Sequence, residues 1–177
     1  MIALVVIVAV IVVAAAGALV LLGGNGSQGN NGRVLKVGDF LTYQATFNIN
    51  IPNIPITNIT YEILGINATS IYFKQTSTSV AGTQVYYYNE TRNETLFDFD
   101  PSHPWSSATF TYVGKATIDT RWGAKSADNY SISSNGSINL TGNWWIYNGI
   151  PLKAYSQWNT IPYQTEAVVL IDTNIPM

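Results

Sequence analysis

Residues 40–49 read FLTYQATFNI, and their alternation decides the class of fold. Leu41, Tyr43, Ala45, Phe47 and Ile49 fall on one side of an extended chain, with Thr42, Gln44, Thr46 and Asn48 on the other. Successive side chains of a strand point to opposite faces, so this is a half-buried strand. Its β-branched and aromatic content suits a pleated surface. The same period recurs downstream in Thr57–Leu64, where Ile59, Tyr61 and Ile63 alternate with Asn58, Thr60 and Glu62. Further strands are expected at Ser70–Ser79, Thr83–Asn89, Glu94–Phe99, Ala108–Val113, Asn129–Ser133, Trp144–Tyr147, Pro151–Trp158 and Gln164–Asp172, the last with Val168, Leu170 and Glu166 on one face. Turn chemistry separates them: Gly65–Ala68, Ala81-Gly82, and Asn148-Gly149, both of whose residues tolerate the positive φ of a type I′ turn. Pro151 marks an edge or a bulge, and the two prolines of Ile51–Ile56 make IPNIPI a loop or an edge crossing.

About ten short strands at this spacing predict an antiparallel β-sandwich, Ig-like or Greek-key. With no cysteine, its core must come from 11 Tyr, 5 Trp and 6 Phe. The absence of Cys also excludes disulfide scaffolds, thiol catalysis and Cys-based zinc sites. The single His, His103, lies in Pro101-Ser-His-Pro104, where flanking prolines read as a surface loop and no G-x-S-x-G elbow accompanies it. A net charge of −2 provides no basic footprint for nucleic acid.

The region before the strands is built for a different solvent. Ile2–Leu22 reads IALVVIVAVIVVAAAGALVLL without one polar side chain, and Arg33 is the first charge in the chain. As a helix this stretch would span roughly 32 Å, against a hydrocarbon layer of about 30 Å, and it exceeds the apolar core of an ordinary signal peptide. A helix apolar all round must be buried all round. Residues 23–32, GGNGSQGNNG, have the composition of a flexible connector. The expected organisation is therefore an apolar helix at 1–22, a linker at 23–32 and a head at 33–177: mainly β with one long N-terminal α-helix. No basic residue precedes the apolar run, so orientation in a membrane is unspecified if Met1 is the translation start, and a basic leader was removed if residue 1 is a processed end.

This order of apolar stretch, short linker and β-rich domain resembles type IV pilins and archaeal flagellins, whose leader is cleaved just before the hydrophobic segment. Residue 5 is Val5 where bacterial pilins typically have Glu, an acid that archaeal members commonly lack. In the head, VLKVGDFLTYQATF (Val34–Phe47), ITYEILGINATSIYFKQT (Ile59–Thr76), WWIYNGIPLKAYSQWN (Trp144–Asn159) and TEAVVLIDTNI (Thr165–Ile175) look like secreted β-domain proteins of hyperthermophilic crenarchaea. The resemblance implies a structural subunit that is membrane-inserted before assembly and then forms a homopolymer, an extracellular filament used in adhesion or motility. It makes Ile2, Leu4, Val5, Val6, Ile7, Val8, Val10, Ile11, Val12, Val13, Leu19, Val20, Leu21 and Leu22 the subunit-assembly helix, with small residues such as Ala14–Ala18 allowing close approach.

The head is short of charge, since only 10% of the chain is Asp, Glu, Lys or Arg. It is rich in another solubilising chemistry. The acceptor pattern Asn-x-Ser/Thr occurs at Asn25, Asn58, Asn67, Asn89, Asn93, Asn129, Asn135 and Asn139, against about three expected by chance from the Asn, Ser and Thr content. N-linked glycans on an exported chain would hydrate it, and unlike carboxylates they keep their polarity in acid.

Other chemistry is sparse. Asp98 and Asp100 offer two oxygens to calcium, which takes six to eight, and read as loop or strand-end carboxylates. Glu62, Glu90, Glu94 and Glu166 have no fixed spacing that would define a catalytic pair. Tyr86–Tyr88 and Trp144-Trp145 place aromatics on both faces of their strands, one half for the core and one for subunit contacts or a sugar platform. The expectation is a non-enzymatic chain without cofactor, metal or nucleic-acid partner. The alternatives are a membrane-anchored cell-surface binding protein, and a donor-strand filament subunit whose signal peptide is cleaved.

Overall fold

The computed structural model describes residues 35–49, 57–102, 108–135, 139–158 and 164–177. They form nine strands: β1 (Phe40–Ile49), β2 (Thr57–Ile66), β3 (Ser70–Ser79), β4 (Gly82–Thr91), β5 (Ala108–Thr120), β6 (Gly123–Asn135), β7 (Asn139–Tyr147), β8 (Ile150–Trp158) and β9 (Gln164–Thr173). All nine join one antiparallel sheet in the order β4-β3-β2-β1-β9-β8-β7-β6-β5. The chain steps outward from β1 to β4, crosses to the opposite edge at β5, and returns strand by strand until β9 pairs with β1.

This corrects the expected fold class. Among the described residues the sole helical element is a 3-10 turn, Arg92–Glu94, and no helix is long and apolar enough to cross a membrane. The description of the fold as mainly β with one long N-terminal α-helix is overturned, and with it the type IV pilin and transmembrane-helix labels that rested on that helix. The segment Ile2–Leu22 itself, with the linker 23–32, lies outside the described residues, as do Ile51–Ile56 and His103. The head is antiparallel β as expected, but its strands hydrogen-bond into one continuous sheet of two joined meanders, since β9 inserts beside β1.

Local chemistry explains the turns. Asn148 and Gly149 both have positive φ, 48° and 75°, so β7 and β8 are joined by the type I′ geometry that matches strand twist. The register of this hairpin shifts between Trp145 and Ile146, which pairs with Pro151, so the proline sits at a bulge in an interior strand. Asn67 closes the β2–β3 turn: its side-chain oxygen accepts from the backbone N–H of Thr69 and Ser70 at 2.9 and 2.7 Å. Gly142 of β7 is required by close approach, because a Cβ there would stand 2.0 Å from the carbonyl oxygen of Tyr155 on β8.

Packing is concentrated on one face. Leu41, Tyr43 and Ala45 of β1, Ile59, Tyr61 and Ile63 of β2, and Ile71 and Phe73 of β3 are all buried and lie on alternate positions. Each fully buried side chain of this size contributes about 1.5–3 kcal/mol relative to exposure. A second cluster gathers Ala108, Ile132, Leu140, Trp144, Ile146 and Ala154 from β5–β8. The crossover from β4 to β5 serves both: Phe97 packs on Phe73 with ring centroids 6.3 Å apart, and Phe99 on Trp144 at 5.5 Å. The Phe99 N–H donates to the carbonyl oxygen of Gly149, fixing the crossover to the β7–β8 turn. Glu94–Phe99, expected as a strand, is therefore the 3-10 turn and a loop whose phenylalanines cover the sheet.

The sheet also coils. The tip of the long β5–β6 hairpin reaches past β7 and β8, so that Arg121 donates to the carbonyl oxygen of Ile171 at 2.9 Å and pairs with Asp172 of β9 at 3.0 Å. A register shift between Tyr112 and Gly114 places a bulge in this hairpin. At the start of β1, Asn174 accepts from the Phe40 N–H and donates to the carbonyl oxygen of Gly38, tying the end of β9 to the entry of the head.

Candidate functional site

The buried face of β2–β4 carries an unusual share of polar groups. Register sets them side by side: Tyr61 opposite Gln75, Gln75 opposite Tyr86, and Phe73 opposite Tyr88. Gln75 is 1% exposed and bonded at both ends of its amide, donating through Nε2 to the Ser77 hydroxyl and accepting the Tyr88 hydroxyl on Oε1. Tyr86 donates to Oε1 of Gln84 on the same face. The aromatic rings run as a row, Tyr43–Tyr61–Phe73–Tyr88, each pair edge-on.

Three carboxyls border this row. Glu90 closes β4, Glu94 sits in the 3-10 turn that follows, and Glu166 enters from β9 opposite Ser156 of β8; all three are buried. Burial pushes Glu90 up to about 9, reinforced by Glu94, and its Oε1 has no hydrogen-bond partner. Burial alone raises Glu166 to about 7. The Tyr61 hydroxyl is driven upward first by burial and then by the charges of Glu90 and Glu166. Burial likewise raises Tyr88, with Tyr61 and Glu90 adding to the effect. Arg92, in the same 3-10 turn as Glu94, is paired with Asp98 at 3.5 Å. The cluster thus holds Glu90 as a neutral acid at pH 7: it stores protons that the unfolded chain releases.

Of the four glutamates considered from sequence, Glu90, Glu94 and Glu166 are buried, while Glu62 lies on the opposite face beside Lys74 at 3.6 Å. Asp98 is the buried partner of Arg92, and Asp100 accepts from the N–H and hydroxyl of Ser102. Among the described residues no group of three or more His, Asp or Glu side chains is placed to hold a metal ion.

The opposite face bears the other sequence candidates. Asn58 and Asn89 are exposed on β2 and β4, and Asn67 is exposed in the β2–β3 turn. Asn129 is half-buried on β6, with its side-chain oxygen accepting from Asn143. The side chains of Asn93, Asn135 and Asn139, and all of Asn25, lie outside what the structure describes. The aromatic pairs divide between faces: Tyr86 and Tyr88 inward and Tyr87 outward, Trp144 buried and Trp145 half-buried. A feature that sequence reading missed is a ribbon of cations over rings: Lys153 over Trp145 at 5.3 Å, Lys125 over Tyr147 at 5.5 Å and Arg121 over Trp122 at 5.2 Å. Arg121 and Trp122 are neighbours in sequence, but the signal for Lys153 was non-local, since cross-strand register brings it opposite Trp145.

No family model matches the chain, and no curated protein matches it. Among solved structures the chain is similar to one described as the complex structure of Pseudomonas aeruginosa MucA/MucB, at 13% identity and a TM-score of 0.45. The alignment covers 79% of this chain and 53% of that one, so this chain spans about half the length of the chain it matches. A likeness of that degree assigns neither family nor function.

Proposed function

We propose that the chain is a structural subunit of an extracellular filament, a homopolymer in which the nine-stranded domain forms the outer, N-glycosylated wall. The observation that carries this reading is the division of the chain. Ile2–Leu22 has no polar side chain and must be covered by lipid or by copies of itself, and a Gly/Asn linker separates it from a β domain whose outward face presents Asn58, Asn67 and Asn89 to solvent. Before assembly the apolar segment is solvated by lipid; in the polymer it is solvated by its neighbours.

Electron microscopy of material shed from the native cell, with the mass of the N-terminal peptide, tests it. Val8→Asp should abolish filaments while the β domain keeps its melting transition, and normal filaments from that variant would sink the proposal. A second reading, a membrane-anchored cell-surface binding protein, is favoured by the cation-on-ring ribbon at Trp145 and Tyr147, where Lys125 and Lys153 have no acidic partner among the described residues. It predicts a monomer after detergent extraction.

A further inference from the structure

The outer face of β3 and β4 exposes more apolar surface than an isolated domain needs: Tyr72 is 44% exposed, Val85 45% and Tyr87 58%. β4 is also an edge strand, and three of the usual guards, proline, lysine and a bulge, are missing from it. It contains no Pro and no Lys, and its ladder to β3 runs without a register shift from Ser70 opposite Thr91 to Ser79 opposite Gly82. The other edge, β5, has a bulge at Tyr112/Gly114 and Lys115 paired with Asp128 at 2.9 Å.

Asn89 stands at one end of this patch. Its direct cross-strand partner is Tyr72, so the two Cβ atoms are about 5 Å apart. Tyr87 lies two residues back on the same strand and face, about 7 Å away. The Asn89 side chain is exposed and makes no hydrogen bond among the described residues, and Thr91 completes an acceptor triplet. Asn129, by contrast, is half-buried and engaged by Asn143.

We propose that Asn89 carries an N-linked glycan whose first sugars lie across the rings of Tyr72 and Tyr87 and guard the β4 edge. The covalent step needs a lipid-phosphate-linked oligosaccharide and the transferase of the exporting cell. The Asn89 Nδ2 forms a bond to the anomeric carbon as the bond from that carbon to the phosphate oxygen breaks. The phosphate leaves with the electron pair and the amide loses one proton, with no change of oxidation state. The ring then contacts the apolar face of the sugar, and the sugar's bulk denies the free N–H and C=O groups of β4 to another strand. This inference rests on the exported, glycosylated reading above and singles out one acceptor and the surface that it covers.

The test uses the full chain from its native cell. Glycopeptide mass spectrometry should find Asn89 modified in wild type and in Thr91→Ser, and unmodified in Thr91→Ala, which keeps the asparagine. Thr91→Ala should then self-associate with rising concentration in sedimentation, whereas the two variants made in a host without the transferase should behave alike. Tyr72→Ala should lower the melting temperature of the glycosylated protein by a few degrees more than that of the unglycosylated one. Modified Asn67 with bare Asn89 overturns this assignment alone. Both residues bare overturns the glycoprotein reading as well. Modified Asn89 with equal effects of Tyr72→Ala in the two forms overturns the stacking.

Discussion

Replacing Glu90 with glutamine should flatten the pH dependence of the sheet's stability. In the folded protein Glu90 is raised from 4.5 to about 9, and Glu166 to about 7, chiefly by burial. A carboxyl raised in the folded state keeps a proton that the unfolded chain gives up. Its contribution is therefore complete below pH 4.5 and falls as pH rises, by about 1.4 kcal/mol per unit, until the folded value is reached. Between pH 4.5 and 7 Glu90 and Glu166 each remove about 3 kcal/mol, a large fraction of the 5–15 kcal/mol that holds a domain together. Above pH 7 only Glu90 continues to titrate, up to about 9. Glutamine keeps the shape and cannot release the proton, so Glu90→Gln should lose roughly half of the slope between pH 5 and 7 and become relatively more stable than wild type by about 3 kcal/mol over that range. Urea unfolding of the intact chain at pH 5, 6, 7 and 8, followed by tryptophan fluorescence, reads both quantities. Wild-type stability that rises with pH, or a Glu90→Gln slope equal to that of wild type, would refute the reasoning.

Two further substitutions probe the frame. Gly142→Ala should cost about 3 kcal/mol in a denaturant melt, because its Cβ meets backbone of β8, which can move only by opening the ladder; wild-type stability would show that β7 and β8 are not so close. Phe97→Ala removes a fully buried ring that anchors the crossover on Phe73, and should cost about 3–5 kcal/mol by the same measurement.

Much of this fold was written locally, in elements whose burial follows sequence period. β1 and β3 have the bounds that alternation assigns, and the Asn148-Gly149 turn and the Pro151 bulge follow from the φ preferences and missing N–H of those residues. What local pattern could not supply was whatever depends on a distant partner. Only Ala108–Val113 and Asn129–Ser133 were legible in the β5–β6 hairpin; between them, Gly114–Asp128 is mostly small or charged with Ile118 and Trp122 its large apolar residues, and its order comes from the ladder and from Arg121 reaching β9. Leu96, Phe97 and Phe99 read as a strand because apolar residues ask for burial, yet a loop laid over a sheet buries phenylalanine equally well. That Glu166 lies on the buried face with Tyr61 and Glu90 was illegible because it needs β9 beside β1, a pairing between the two ends of the head. The outward acceptors Asn58 and Asn89 were named from sequence; that Tyr72 faces Asn89 required the register.

The placement of β1 has a mechanical consequence. β1 is bonded on both flanks, to β2 and to β9, and the backbone at its start, Gly38 and Phe40, is held by Asn174. A load applied through the preceding segment is therefore directed along β1, which must slide past two neighbours with many ladder hydrogen bonds strained together. Had β4 or β5 been the entry strand, the same pull would peel an edge one bond at a time. A pull along β1 against the rest of the sheet would meet two ladders at once, where a pull on β4 or β5 would meet one.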